Sequence, residues 1–502
     1  MKRNSYTWNA TVLCSLVGAL ALIGGSKSNA ASEPAMVKLS QYDRAEFCDL
    51  AVGDDGQIHA VFTDQPAHGK PKYLYYRASH DGGKTWSEAK NLSDDESGNS
   101  ASYARIVIDG NRRLYAVWKY VGVNELLDGP GGVAAGRLTY RCLADGAWSE
   151  PITIGDAKLS NMKTPTYSWF AAVDSSGVVQ IVWSQMAKEA AEAVVNPYYY
   201  YANLVRQRSL DGANVGTVKD IIVPKPLLTK EQQVDMKAHG KYPKYEDTTP
   251  KKEGLINLRG YLDAKGVVHF VAEHPGVQDG PSSQQTGKQI VLWDGAKLTP
   301  IYSFEKYQNY NNFNNPATLL VDTAGKEHLI RAPEKSEKAC MRDYSLDGVA
   351  LGDFVNIIAP KSGPGKVLNW QAHQLPGGRM AVTIAFSEKG GYQPDDLELY
   401  SSVSDGSGKW SVPLCITKNT AKKDAFNKQT TALGHSVGAV YEYTPRFASV
   451  ATAKDGKLCY LMVNSEGAIL DFTSPGVTSS GRVVSVSSGG RVENPAVFFL
   501  KF

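Results

Sequence analysis

The sequence predicts an all-β chain folded as a single β-propeller, most simply one of seven four-stranded blades. Two observations carry this expectation. An apolar run, a tight Asp/Gly turn and a second apolar run recur seven times, and a second turn motif returns between them. The hairpins centre on Asp54, Asp109, Asp174, Asp263, Asp322, Gly377 and Asp455, at intervals of about 55–90 residues. Asp and Gly supply the left-handed conformations of short hairpin turns, and the flanking Val, Ile, Leu and aromatic residues suit pleated strands. No such unit can bury its apolar face alone, so neighbours must stack, and a radial array leaves few open edges. Residues 434–443 (GHSVGAVYEY) also read as a half-blade, which leaves six to eight blades open.

The second motif is clearest after the first hairpin. Ser79, Asp81, Gly83, Thr85 and Trp86 follow the pattern S-x-D-x-G-x-T-W. Asp caps the turn amides, Gly makes the bend, and Trp packs between neighbouring strands. Weaker copies stand at Asp145-Gly146 with Trp148, at Ser209-Leu210-Asp211-Gly212, at Ser345-Leu346-Asp347-Gly348, and at Ser404-Asp405 with Gly408 and Trp410. These residues read as structural.

Residues 1–30 read as an export signal. Lys2 and Arg3 precede an apolar run, Val12 to Ile23, that is too short and too Gly/Ala-rich for a membrane span, and Ser28-Asn29-Ala30 offers a cleavage site. Residues 31–502 then make the propeller, a secreted or periplasmic monomer with no membrane attachment. Of 54 basic residues three leave with the signal, so 51 face 51 acidic ones and nothing calls for nucleic acid as a partner. Cys48, Cys142, Cys340, Cys415 and Cys459 remain, an odd, widely spaced set with no CxxC pair. They suit neither a disulfide scaffold nor a zinc site. Two insertions break the period: 186–195 (MAKEAAEAVV) reads as a short helix, and 224–253 as a long polar loop.

In a propeller the first-strand starts and second-strand ends share one mouth of the central channel. That mouth gathers Arg44, Asp49, Tyr103, Arg105, Tyr167, Trp169, Arg259, Asn314, Trp370 and His373 from the starts. The ends add Lys119, Tyr120, Glu273, His274, Arg331 and Glu388. Aromatic faces stack on sugar rings, and Arg forks grip carboxylates or sulfates. Arg259 and His274 open and close one hairpin, INLRGYLDAKGVVHFVAEH.

The hairpins and turn motif together resemble the Asp-box (bacterial neuraminidase repeat) propellers of the sialidase superfamily, over nearly all of the chain after the signal. Seven hairpins place it nearer to the seven-bladed polysaccharide lyases of the ulvan lyase type than to six-bladed sialidases. The resemblance implies a lyase that cleaves an acidic, uronate-containing polysaccharide by β-elimination and requires no cofactor; loop carbonyls leave room for a structural Ca²⁺. Such a lyase needs a cation against the carboxylate, a base for the C5 proton, and an acid, often Tyr, for the leaving oxygen. Here Arg259 is the expected cation, His274 the base, and Tyr167 or Tyr120 the acid. Arg105, Lys119, Trp169, Asn314, Arg331 and His373 are expected to bind substrate. The histidines that ulvan-lyase-like propellers often carry around the second blade are absent from NSASYARI and AVWKYVG, so Lys119 or Tyr120 would substitute. The Arg-Ile-Pro of sialidases is also absent, since Arg44 continues as Ala45-Glu46. A sialidase-like or other exo-acting glycoside hydrolase stays open and would need close carboxylates, such as Glu273 and Glu388. A non-catalytic glycan-binding propeller stays open too.

Overall fold

The computed structural model describes residues 36–502 apart from 43, 68–69, 94–98, 122–136, 156–165, 187–202, 223–254, 275–276, 279–284, 287–288, 305–316, 333–339, 360–364, 388–396, 418–435 and 478–482. The first strands of the blades are Cys48–Val52, Ser100–Ile108, Thr166–Val173, Ile256–Leu262, Ala317–Val321, Lys366–Gln374 and Ser436–Thr452. Their antiparallel second strands are Ile58–Asp64, Leu114–Val121, Val179–Met186, Val268–His274, Glu327–Arg331, Met380–Ser387 and Leu458–Val477. Every expected hairpin turn joins one such pair. Third and fourth strands complete each sheet.

Each first strand touches the first strand of the next blade, and Cys48–Val52 meets both Ser100–Ile108 and Ser436–Thr452, so the ring closes. The molecule is a seven-bladed β-propeller. Its last blade is finished from the other end of the chain: Val37–Lys38 is the fourth strand, pairing Val37 with Phe499 and Lys38 with Phe498. Residues 436–443 belong to the long first strand of blade seven, so they are no separate half-blade. Met186 ends a strand and does not start a helix; the rest of the expected helix, the insertion at 224–253 and the export signal lie outside the described residues.

The core is divided into seven apolar wedges, one at each blade–blade junction. Alternation along each strand produces this, because successive side chains of a strand enter opposite wedges. On the second strand of blade two, Trp118 fills the wedge toward blade one, while Tyr115 and Val117 fill the wedge toward blade three. All five described cysteines are free, four of them buried.

The hairpin end of the ring repeats one hydrogen-bonding device. In four blades the turn opens with Asp, whose Oδ1 accepts the amides two and four residues on: Asn111 and Arg113 for Asp109, Ser176 and Val178 for Asp174, Lys265 and Val267 for Asp263, Ala324 and Lys326 for Asp322. Oδ2 meets the residue six on: Tyr115, Gln180, His269 and His328 respectively. The turn between third and fourth strands of blade one lies at this same end. There Asp81 accepts from Lys84 and Thr85 amides and from both the Ser79 and Thr85 hydroxyls, while Trp86 rests edge-on against Phe499 of blade seven. Gly83 has φ 94° and faces Phe499 so closely that a Cβ there would strike its ring.

Candidate active site at the channel mouth

The opposite end is irregular where the hairpin end is regular. Pairing with the second strand slips between Ser102 and Arg105, Thr166 and Ser168, Ile256 and Arg259, and Val367 and Asn369. Such bulges re-aim side chains and are frequent beside sites. Two of them hold a non-glycine residue in the left-handed region: Tyr103 at φ 52° and Asn257 at φ 57°, each six residues before its turn Asp. That conformation costs free energy, on the order of 1 kcal/mol or more, and persists only where its surroundings enforce it.

Two residues deeper lies one layer contributed by all seven first strands: Asp49, Arg105, Phe170, Arg259, Thr318, Gln371 and Ser449. Six of the seven are polar. Asp49 ties three blades together, accepting the Ile106 amide (3.0 Å) and the Ser449 hydroxyl (2.5 Å). Ser168 does similar work one layer up, accepting the Leu258 amide at 3.1 Å. Gln371 is buried with neither amide atom hydrogen-bonded.

Neither arginine of this layer forms an ion pair among the described residues, although the Asp49 carboxylate shares the layer and accepts the amide next to Arg105. Arg259 donates from Nη1 to the carbonyls of Leu258 (2.7 Å) and Trp169 (3.4 Å) and forms no ion pair among the described residues. Arg105 makes no hydrogen bond or ion pair among the described residues, and both remain partly open to solvent. Burial and then the charge of Arg105 work against the charge of Arg259, although a guanidinium stays protonated. Tyr103 stands at the rim, 37 % exposed, its ring 4.5 Å from that of Phe47 and 5.5 Å from the Lys119 amine. Burial raises the Tyr103 phenol, Glu46 adds to this, and Arg259 opposes it, so those charges all lie within electrostatic range. Glu46 is paired with Lys72. Glu273 is buried and accepts the Asn257 amide at 3.1 Å.

Of the residues expected at the site, Arg105, Arg259 and Lys119 gather here, and His373 lies two positions deeper. Burial pushes His373 down to about 4, against the pull of Asp49, and its Nε2 has no partner. Three expectations are corrected. The Trp169 ring is packed in the wedge between blades two and three, so it offers no face to a sugar; only its carbonyl turns to Arg259. Tyr120 is buried in the wedge between blades one and two, its ring against Trp118, and is no rim acid. Arg331 is 1 % exposed and caged by Tyr302 and Tyr344, 4.2 and 5.5 Å from the ring centroids, with the Tyr344 hydroxyl accepting from it at 3.0 Å. It therefore joins blades four and five instead of binding ligand. The backbones of Tyr167 and His274 sit in strands at the mouth, but their side chains, and all of Asn314, lie outside the described residues. Tyr103, which the sequence placed at the mouth without a role, is the exposed phenol that the structure supplies. Its distance from the turn Asp, matched by Asn257, was the available signal. Among the described residues, no three His, Cys, Asp or Glu side chains gather as a metal site.

No family model matches this sequence, and no curated protein is similar to it. Solved structures are. An α-L-arabinanase of Penicillium chrysogenum, complexed with arabinobiose, is 14% identical with a TM-score of 0.44, covering 75% of this chain and 98% of its own. A sialidase of Trypanosoma rangeli, in complex with the inhibitor DANA, is 11% identical with a TM-score of 0.39, covering 91% of this chain and 55% of its own. A polysaccharide lyase, an ulvan lyase bound to a unit of GlcA and sulfated rhamnose, is 13% identical with a TM-score of 0.41, covering 70% of this chain and 77% of its own.

Proposed function

We propose that this chain is a carbohydrate-active propeller that binds an acidic, uronate-containing polysaccharide across its channel mouth and cleaves it by β-elimination. The observation that carries the reading is the Arg105–Arg259 pair. Two guanidinium groups within electrostatic range of each other, neither in an ion pair among the described residues, repel each other, and an anion between them removes that cost. A uronate carboxylate is such an anion, and its charge grows as the C5 proton departs, so the stabilisation peaks in the transition state. A base takes that proton, the electron pair forms the C4–C5 double bond, and the C4–oxygen bond breaks. Tyr103 is placed to protonate the leaving oxygen; His274 keeps the base role its sequence position suggests. Residues 1–30 fit a protein exported to meet such polymers outside the cytoplasm.

A sialidase-like hydrolase is the second reading, favoured by Glu46 within electrostatic range of Tyr103. A panel of acidic and neutral polysaccharides, scored together for near-ultraviolet absorbance and for reducing ends, separates these. The lyase produces an unsaturated uronate that absorbs. Reducing ends without absorbance overturn elimination in favour of hydrolysis, and neither signal with retained binding leaves a glycan-binding propeller.

A further inference from the structure

We infer that Lys119 is a third, titratable cation of the Arg105–Arg259 site, and that the site takes up a proton when it binds an acidic sugar. This rests on the acidic-saccharide reading above. Lys119 lies on the second strand of blade two, opposite Ser102, and is 1 % exposed. Its amine has no hydrogen-bond partner. A lysine that merely packs extends its head to water; this one is sealed beneath the ring of Tyr103.

The groups around it define what it can sense. Val117, two residues away, points into the wedge toward blade three with Trp169 and Trp183, and Arg105 is paired with Val117 on that face. Tyr103 covers the amine, and beyond Tyr103 lie Glu46, already engaged by Lys72, and Arg259. No described carboxylate is bonded to the amine. Burial pushes it down to about 7, so near neutral pH the empty site holds two fixed charges and one that is only partly present. An anion on the two arginines favours the ammonium form and draws a proton onto Lys119.

The test is calorimetric titration of the full-length chain with a glucuronan tetrasaccharide, in buffers of different ionisation enthalpy between pH 6 and 9, with a neutral cello-oligosaccharide as control. Wild type should take up about 0.3–0.7 proton per site at pH 7.5. Its affinity for the acidic probe should weaken as pH rises. Lys119→Met should still bind, with no proton uptake and a flat pH dependence. Lys119→Arg, permanently charged, should bind without uptake, and it serves if the Met variant does not fold. Binding of the acidic probe with no uptake in wild type, or with uptake unchanged in either variant, overturns the role of Lys119 and leaves the acidic-saccharide reading standing. Failure of the acidic probe to bind wild type overturns both.

Discussion

At the hairpin end of the ring, Asp109 places both carboxylate oxygens on donors: two turn amides, the Arg113 guanidinium and the Tyr115 hydroxyl. At the mouth, Arg105, Arg259 and Lys119 on blades two and four form no ion pair among the described residues. The chain is the same and the strands are the same, yet the turn carboxylates are bonded from within, while these three cations have no carboxylate bonded to them among the described residues. Buried polar groups are almost always paired in folded proteins, because an unmade bond costs about 1–3 kcal/mol. Cations left unbonded at one end, against bonded turn carboxylates at the other, mark where a ligand completes the structure.

This contrast is exposed to test by pairs of substitutions. Arg259→Met at the mouth should lower turnover of, or affinity for, a uronate polymer by on the order of 10²–10³-fold, with an unchanged or higher Tm. A loss of stability with normal turnover would return Arg259 to the scaffold. Asp109→Ala at the hairpin end should do the reverse. It strands four donors while Arg113 keeps its ion pair to Asp211, so urea unfolding should show a loss of about 2–3 kcal/mol, with activity intact well below the melting point.

The histidine versions of the same device add a pH dependence. At His269 the Glu327 hydrogen bond leads in raising the imidazole pKa; at His328 burial opposes the charge, but Asp343 and Asp322 outweigh it. A folded pKa above the unfolded value of about 6.5 gives stability that is fully present below that pH and lost as pH rises through the folded pKa. Lys119, whose pKa is depressed, contributes the opposite slope above pH 7. The measurement is therefore a difference: wild type minus His269→Gln/His328→Gln should be most stabilised near pH 6 and shrink toward pH 9. A difference that is flat across this range would show that the imidazoles are not charged in the fold. Smallest of all should be Asp81→Ala. Its exposed turn loses hydrogen bonds that hold the carboxyl well below its ordinary range, so Tm should fall slightly, by less than for Asp109→Ala, with turnover unchanged.

The hairpin end was legible in the sequence because its physics is local. An Asp that caps amides two and four residues on needs only its own turn, so each copy announces itself. Blade number followed from counting the seven hairpins, four of which carry this Asp. The mouth was legible only by position. Trp169, Tyr120 and Arg331 occupy mouth positions in sequence but turn into the wedges, since a bulge two residues earlier or an aromatic cage decides where a side chain goes. Tyr103 is marked in the sequence only by its spacing from the turn Asp, because its exposure depends on a left-handed backbone that its residue type does not encode. Arg105 and Arg259, 154 residues apart, approach each other only once the ring exists.

The strand Val37–Lys38 has its partners at Phe498 and Phe499. That places the last stitch of the ring between Val37–Lys38 and Phe498–Phe499, so a chain released in order completes six blades before the seventh can shut. Until then blades one and seven each present an uncovered apolar flank, which Cys48, Leu50, Phe62, Leu461, Val463 and Phe499 later fill together. Asp49 is fully bonded only once the ring is shut, because it receives the Ser449 hydroxyl from blade seven across that seam and the Ile106 amide from blade two across the next.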